Sequence, residues 1–432
     1  MKSPVFIGYF HKLYSYVLTG VILISILIPT ASIGATFTVN SGYDVNDLDP
    51  GNGLCVAYLI IIIPAVLPFC TLRAAIEETN ALPGEDIIIL GSGTYKLSLS
   101  GLGEDQAATG DLDITDSLQI IGAGPDKTFI DAAGLDRVLD IQGRDTTVFL
   151  SGVTILNGNL PAGLAYDQKG GGGIRNRASL FLNNVVLSHN NVSGASIDDA
   201  GGGLLNKGIC SIKDSTIYNN HANEGGGILN DSHSTLQVSS STINGNYSRG
   251  GGGIMNYGSG NLINTTLSDN SALGEDFLFG GAMQNWQQLQ IVQCTIADNF
   301  ASGGGGGISN DGTVSMVNTI VSGNVGGNCH PTVDIASQGH NLDSDNTCGL
   351  TALQTDLKNI DPQLGPLQDN GGSTRTHALN PGSPAIDAGK YLMNITADQR
   401  GISRPQRKAF DIGAFEAVNI SIVPFITPLL FN

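Results

Sequence analysis

Six segments, Gly172-Gly173-Ile174-Arg175-Asn176, Gly202-Gly203-Leu204-Leu205-Asn206, Gly226-Gly227-Ile228-Leu229-Asn230, Gly252-Gly253-Ile254-Met255-Asn256, Gly281-Ala282-Met283-Gln284-Asn285 and Gly306-Gly307-Ile308-Ser309-Asn310, repeat one five-residue phrase. Their asparagines stand 30, 24, 26, 29 and 25 residues apart. A second phrase follows: Thr216-Ile217, Thr242-Ile243, Thr266-Leu267, Thr295-Ile296 and Thr319-Ile320, with Asn220, Asn246, Asn270 and Asn299 three residues beyond the first four and Asn324 four beyond the last. Between the phrases run short alternations such as Leu236-Gln237-Val238 and Leu289-Gln290-Ile291. A period of two over so few residues means short strands, and no unit has room for a long helix. Such a unit cannot bury its own apolar side, but stacked on a copy of itself it can.

The expected fold is therefore all-β: a single-stranded, right-handed parallel β-helix with a short N-terminal capping helix. About ten coils between Ile87 and Val325, one strand spacing apart, make a rod of roughly 48 Å. Glycine serves the corners, where φ must be positive, and asparagine is expected to tolerate the same corners. Asn176, Asn206, Asn230, Asn256, Asn285 and Asn310 are read as a structural ladder, their amides bonding along the axis. Leu118 to Gly122 and Thr146 to Ile155 extend the pattern upstream without the glycine tag.

Boundaries follow from composition. Residues 1–35 read as a secretory signal: Lys2 and Lys12 precede the apolar Val17 to Ile28, and Ala31-Ser32-Ile33-Gly34-Ala35 offers small residues for cleavage. Residues 36–85 form an N-terminal cap, 86–325 the coils, 326–416 a C-terminal cap and 417–432 an apolar tail. In the cap, Leu72, Ala75, Ile76 and Thr79 share one helical face, ahead of a break between Asn80 and Gly84. Val56 to Phe69 is an apolar insert between two cysteines, too short and too interrupted by proline to span a bilayer. Export agrees with cysteine usage: Cys55 with Cys70, and Cys329 with Cys348, can each close a loop in an oxidising compartment. Cys210 and Cys294 stand at different phases of the repeat and are expected buried and free. The localisation expected is secreted, extracellular or at the cell surface.

A net charge of −18 and the lack of any basic run exclude nucleic acid as a partner. An extracellular glycan or surface component remains, and membrane contact is expected only through the signal or a C-terminal anchor. No C-terminal barrel for self-export follows the repeats.

Cys70-Thr71-Leu72-Arg73-Ala74-Ala75-Ile76, with Asn80-Ala81, Gly84, Asp86 and Gly93-Thr94-Tyr95, resembles the CSLREA-type N-terminal domain of bacterial surface proteins. Asn370 to His377, Gly382 to Gly389, Asp398 to Gly401 and Asp411 to Glu416 are similar to the choice-of-anchor Q domain. The resemblance implies a pectin-lyase-like β-helix and an envelope location. It implies no defined activity and supplies no catalytic residues. The tail from Ile420 to Asn432 has neither an LPxTG motif nor a terminal basic cluster.

The fold type hosts polysaccharide lyases and hydrolases, but a fold does not give a function. Acidic candidates lie in the loops before the glycine tag: Asp198, Asp199, Glu224, Glu275 and Asp276, with Arg249 contributed by the intervening coil. The repeat phase places these loops on one edge of the rod. Carboxylates in a row can hold Ca²⁺ through oxygen. They also serve simply as solvated charge that keeps strands from aggregating sideways. Cys329-His330 with Cys348 lacks a fourth metal ligand, and no GxSxG, HExxH or P-loop is present. No catalytic or metal residue is assigned, and no cofactor is expected, with Ca²⁺ kept as the candidate ion. The reading leans to a binding, adhesion or display protein directed at glycan or matrix. The alternative is a polysaccharide lyase or glycoside hydrolase acting on acidic polysaccharide.

Overall fold

The computed structural model describes residues 34–62, 65–165, 168–196, 198–274, 279–330, 335–350 and 354–418. Most of the predicted signal, most of the apolar tail, and both Glu275 and Asp276 lie outside them.

The chain winds into a parallel β-helix. Its rungs hydrogen-bond into two 11-stranded parallel sheets and one of 8 strands. The first sheet starts at Thr36–Val39, pairs it with Asp86–Leu90, and ends at Ile335–Ser337. The second runs from Gly93–Lys96 to Leu357–Lys358. The third carries the glycine-tagged phrases, from Leu112–Ile114 to Ile308–Asn310.

Register is in phase throughout. Asn176 pairs with Asn206, and the pairing continues through Asn230, Asn256 and Asn285 to Asn310. Like residues therefore stack in columns. Ile174, Leu204, Ile228, Ile254, Met283 and Ile308 fill the interior from the third sheet, facing Leu182, Ile212, Val238, Leu262 and Ile291 from the first. Cys210 and Cys294 are free and buried within this core. Burial pushes both thiols up, that of Cys294 to about 12, so neither is a nucleophile at neutral pH.

Two amide ladders run inside the rod. In one, the Nδ2 of Asn176, Asn206, Asn230, Asn256 and Asn285 each donates to the Oδ1 of the next asparagine at 2.6–2.8 Å. In the other, Asn190, Asn220, Asn246, Asn270 and Asn299 each give both backbone N–H and Nδ2 to the next Oδ1. These asparagines do not themselves make the left-handed corners, contrary to expectation. In the second ladder the positive φ falls one residue earlier, at Asn219, Gly245, Asp269, Asp298 and Gly323; in the first it falls five residues earlier, at Gly171, Gly201, Gly225, Gly251, Gly280 and Gly305. The reason is division of labour: an amide that must accept from above and donate below needs a fixed backbone, so its neighbour takes the turn. In the glycine tag, Gly225 sits at φ +59°, and a Cβ on Gly226 would come within 2.4 Å of the Tyr247 carbonyl. One glycine serves the turn and the next the close approach of coils.

The N-terminal end is covered by α1, Leu72–Ala81, capped by the Thr71 side chain accepting from Ala74 N–H at 3.1 Å. Its four predicted apolar-face residues are buried, and so is Arg73, which the pattern did not single out. Arg73 pairs with Asp44 at 2.6 Å and donates to the carbonyls of Ala107, Gly110 and Asp111. Disulfides join Cys55 to Cys70 and Cys329 to Cys348. No helix among the described residues is long and apolar enough to cross a membrane.

Leu364 to Ala417 lies against the flank of the second sheet. Gln399 accepts from Thr266 Oγ1 at 2.7 Å and donates to Thr242 Oγ1 at 3.0 Å, using the threonine column of the repeat as its dock. His377 bridges Ser268 and the Gly365 carbonyl. Asp398 and Glu416 pair with Arg400 and Arg404 at 2.7 and 2.8 Å, and Arg400 covers the Phe415 ring. These polar groups are occupied in holding the flank.

Asn230→Ala removes one donor and one acceptor in mid-ladder and leaves Asn206 and Asn256 short of partners. We expect a loss of about 3 kcal/mol of stability, read by chemical denaturation. Gln237→Ala, on the exposed outer face of the first sheet, should cost almost nothing. Equal effects from the two would discount the ladder.

Candidate functional site

The outer face of the third sheet is a groove with its long direction along the rod. Its floor is the column immediately before each ladder asparagine: Leu205, Leu229 and Met255, all buried and packed with Ala200 and Tyr257. One wall is the column immediately after it, where Lys207, Asp231, Tyr257 and Trp286 follow Asn206, Asn230, Asn256 and Asn285. The other wall is the stacked loops before the tag, in which Ala200 bridges to Glu224 and Glu224 to Gly250. Lys169, Asp198, Glu224, Asp231 and Tyr257 converge on a cavity of about 120 Å³ over this floor.

The candidate residues named from sequence fare differently. Asp198 and Glu224 both line the cavity. Asp199 is buried next to it but engaged, by Lys169 at 3.5 Å and by the Ser196 N–H at 2.9 Å. Arg249 is exposed, does not line the cavity, and acts on Glu224 only through its field. Glu275 and Asp276 fall outside the described residues. The sequence reading missed Lys169, Lys207, Asp231, Tyr257 and Trp286. Four of these five occupy the position after the ladder asparagine, so reading the repeat as columns would have found them.

Glu224 is the chemically distinctive group. It is 2% exposed, and its carboxylate accepts from the Tyr257 hydroxyl at 2.8 Å. Burial raises its pKa; Asp198 adds to the rise, while the Tyr257 hydrogen bond and Arg249 oppose it. Tyr257 is raised too, first by burial and then by Glu224. Lys207 pairs with Asp231 at 3.0 Å across the wall. The Tyr257 and Trp286 rings lie 6.1 Å apart at 23°, with Trp286 39% exposed. Stacked rings beside carboxylates and hydroxyls suit a ligand that is apolar on its faces and hydroxylated at its edge.

Toward the N-terminal end, the floor column changes from apolar to ionic: Asp113, Asp140 and Arg175 precede Leu205 in register. Arg175 clasps Asp140 at 2.6 and 2.8 Å, Arg137 pairs with Asp111 at 2.6 Å, and Gln142 bridges Asp113 to Asp140. Asp105, Asp113 and Asp140 each present one oxygen within 4.8 Å of the others, a spacing that a hard cation could bridge. Those oxygens are already engaged by Gln142 and the arginines, so the cluster reads first as an internal charge network. Burial raises Asp111 to about 7, against the opposing pull of Arg137. Burial, with repulsion from Asp111 and Asp140, raises Asp113 to about 8. Burial works against Asp140 as well, but the Arg175 hydrogen bonds and three nearby guanidinium charges hold it below the usual carboxylate range.

No family model matches the chain, and no curated protein matches it. Among solved structures it is similar to one titled "Crystal structure of pectate lyase Pel9A", at 16% identity and a TM-score of 0.45, over 90% of this chain and 98% of that one.

The Asp113 shift sets a sign. Between the ordinary value of 3.8 and about 8 the folded protein keeps a proton that the unfolded chain has released, so stability falls as pH rises through that window. Calorimetry should show a thermal midpoint lower at pH 8 than at pH 5, with Asp113→Asn reducing the difference by raising the pH 8 value. An unchanged difference in the variant would mean that Asp113 is ionised.

Proposed function

We propose that this is an extracellular β-helix that binds a polysaccharide along the third-sheet groove, in a binding, adhesion or display role. The observation that carries the reading is the adjacent Tyr257 and Trp286 rings next to the buried Glu224. Columns repeat about every 4.8 Å along the rod, close to the length of one sugar unit, so successive coils can meet successive sugars. Aromatic faces take the apolar side of a pyranose while carboxylates and amides take its hydroxyls. Two disulfides suit an oxidising, extracellular setting. The resemblance of the two ends to CSLREA-type and choice-of-anchor Q domains supports display at the cell envelope.

A second reading, hydrolysis or elimination at the same groove, draws on one observation. Glu224 is a carboxyl whose pKa burial raises, as a general acid requires. It is weaker because Glu224 is already bonded to Tyr257 and almost without access to solvent.

A panel of neutral, amino and acidic polysaccharides, tested by affinity electrophoresis with and without Ca²⁺, decides between them. We expect retention by at least one polysaccharide without new reducing ends or unsaturated products. Trp286→Ala should weaken it roughly tenfold, about the 1.4 kcal/mol of one stacked ring. Turnover lost in Glu224→Gln would establish the second reading, and retention unaffected by Trp286→Ala would remove the groove as the site.

A further inference from the structure

An antiparallel hairpin, Tyr58–Ile62 with Ala65–Phe69, leaves the N-terminal end of the rod, and nothing in the groove's chemistry uses it. Its sequence from Leu59 to Phe69 contains no polar or charged side chain. Leu59 stands opposite Pro68, and Ile60 opposite Leu67. Neighbours along a strand point to opposite faces, so one apolar pair lies on each face of the ribbon. Both faces are open: Leu59 is 50% exposed, Ile60 43% and Leu67 44%. A ribbon meant to dock in a protein groove would bury one face and keep the other polar. Apolar side chains on both faces leave the ribbon no polar face to turn back to water, which suits partial immersion better than docking by one face.

The base is built to hold the ribbon out. The Cys55–Cys70 disulfide closes it, the Tyr58 and Phe69 rings stack at 4.7 Å, and Asn40 bonds both Cys70 N–H and the Pro68 carbonyl. Tyr58 shares a hydrogen bond with Ser41, and Tyr43, 72% exposed, packs edge-on against Tyr58. Tyrosines at this level have the amphipathic character of rings that sit at a lipid–water boundary.

We propose that the hairpin seats Leu59, Ile60, Leu67 and Pro68 at the headgroup–acyl boundary of a zwitterionic lipid bilayer. Charge selects the lipid. Asp47 accepts from Val56 N–H at the hairpin's root, Asp49 follows it, and no lysine or arginine occurs between Lys12 and Arg73. Asp47 is buried and engaged, but the exposed Asp49 carboxylate, with no cation in this stretch to offset it, is complementary to the ammonium of a choline or ethanolamine headgroup and repels an anionic one. Backbone satisfaction sets the depth. The outer edges of a two-stranded ribbon carry unpaired N–H and C=O groups that hydrocarbon does not tolerate, so the arms, about 17 Å long, stop at the boundary. Pro68 removes one such donor. The contact adds a route to the membrane beyond the two chain termini.

The test uses the full chain with Leu67→Cys bearing an environment-sensitive fluorophore. The other cysteines are bridged or buried, so labelling is local. Phosphatidylcholine vesicles should shift the emission to the blue, and a quencher carried on the acyl chains should dim it. Phosphatidylserine vesicles should give a weaker response. Leu59→Asp with Ile60→Asp, both on the exposed ribbon, should lower the vesicle partition of the labelled chain about tenfold or more, with the circular dichroism spectrum unchanged. The probe reports on the hairpin whatever residues 1–33 do. No shift with phosphatidylcholine would overturn the proposal. So would a shift that grows with protein concentration in the absence of vesicles, which would identify a second copy of the chain as the occupant.

Discussion

Everything in this protein rests on the stacking of one coil on the next with its amides in register. A single coil has too little apolar surface to stay folded, and its corners expose backbone groups that only an identical neighbour can satisfy. The two asparagine ladders solve both problems at once. Each amide accepts from the coil on one side and donates to the coil on the other, so a one-residue slip anywhere breaks a buried row of bonds rather than a single contact. Burial makes the requirement strict, because an orphaned amide in the rod cannot fall back on water.

That constraint also builds the groove. Once the ladder asparagine is fixed, the residue before it must form part of the outer face of the third sheet, and the residue after it must stand at that face's edge. Substitutions in these two columns leave the ladder intact, so each coil is free to vary them. Downstream they become an apolar floor with rings and carboxylates above it; upstream they become Asp113, Asp140 and Arg175. One scaffold thus carries a trough with an apolar floor and a buried ionic network a few coils apart, and the change between them marks where the apolar floor ends.

The flank and the lid show a different economy. Gln399 and His377 reach the rod through hydroxyls that the repeat presents for its own geometric reasons, and Thr374 donates to the Ser240 carbonyl. Arg73 does the same at the N-terminal end, satisfying its whole guanidinium on Asp44 and three carbonyls. Both segments combine these polar anchors with apolar contact: the lid adds Leu72, Ala75 and Ile76 to the main core, and the flank packs Leu379, Ala385, Ile412 and Phe415 on Ile320 and Leu342 of the rod.

Periodicity made the coils, the ladders, the capping helix and both disulfide pairs legible, because each depends on spacing along the chain. The groove was legible by half. Asp198 and Glu224 could be placed on one edge of the rod by phase alone, yet the phase could not tell that Glu224 turns inward to Tyr257 while Arg249 turns outward. Neither could it show that Asp199 is engaged by Lys169. Sequence by itself determined which residues share a column, since that follows from counting. Only the tertiary structure decided which columns are roofed, which carboxyls lose their water and which apolar strands, such as Leu59 and Leu67, stay exposed. Solvation depends on what lies across the gap from a side chain, and that neighbour comes from a distant part of the sequence.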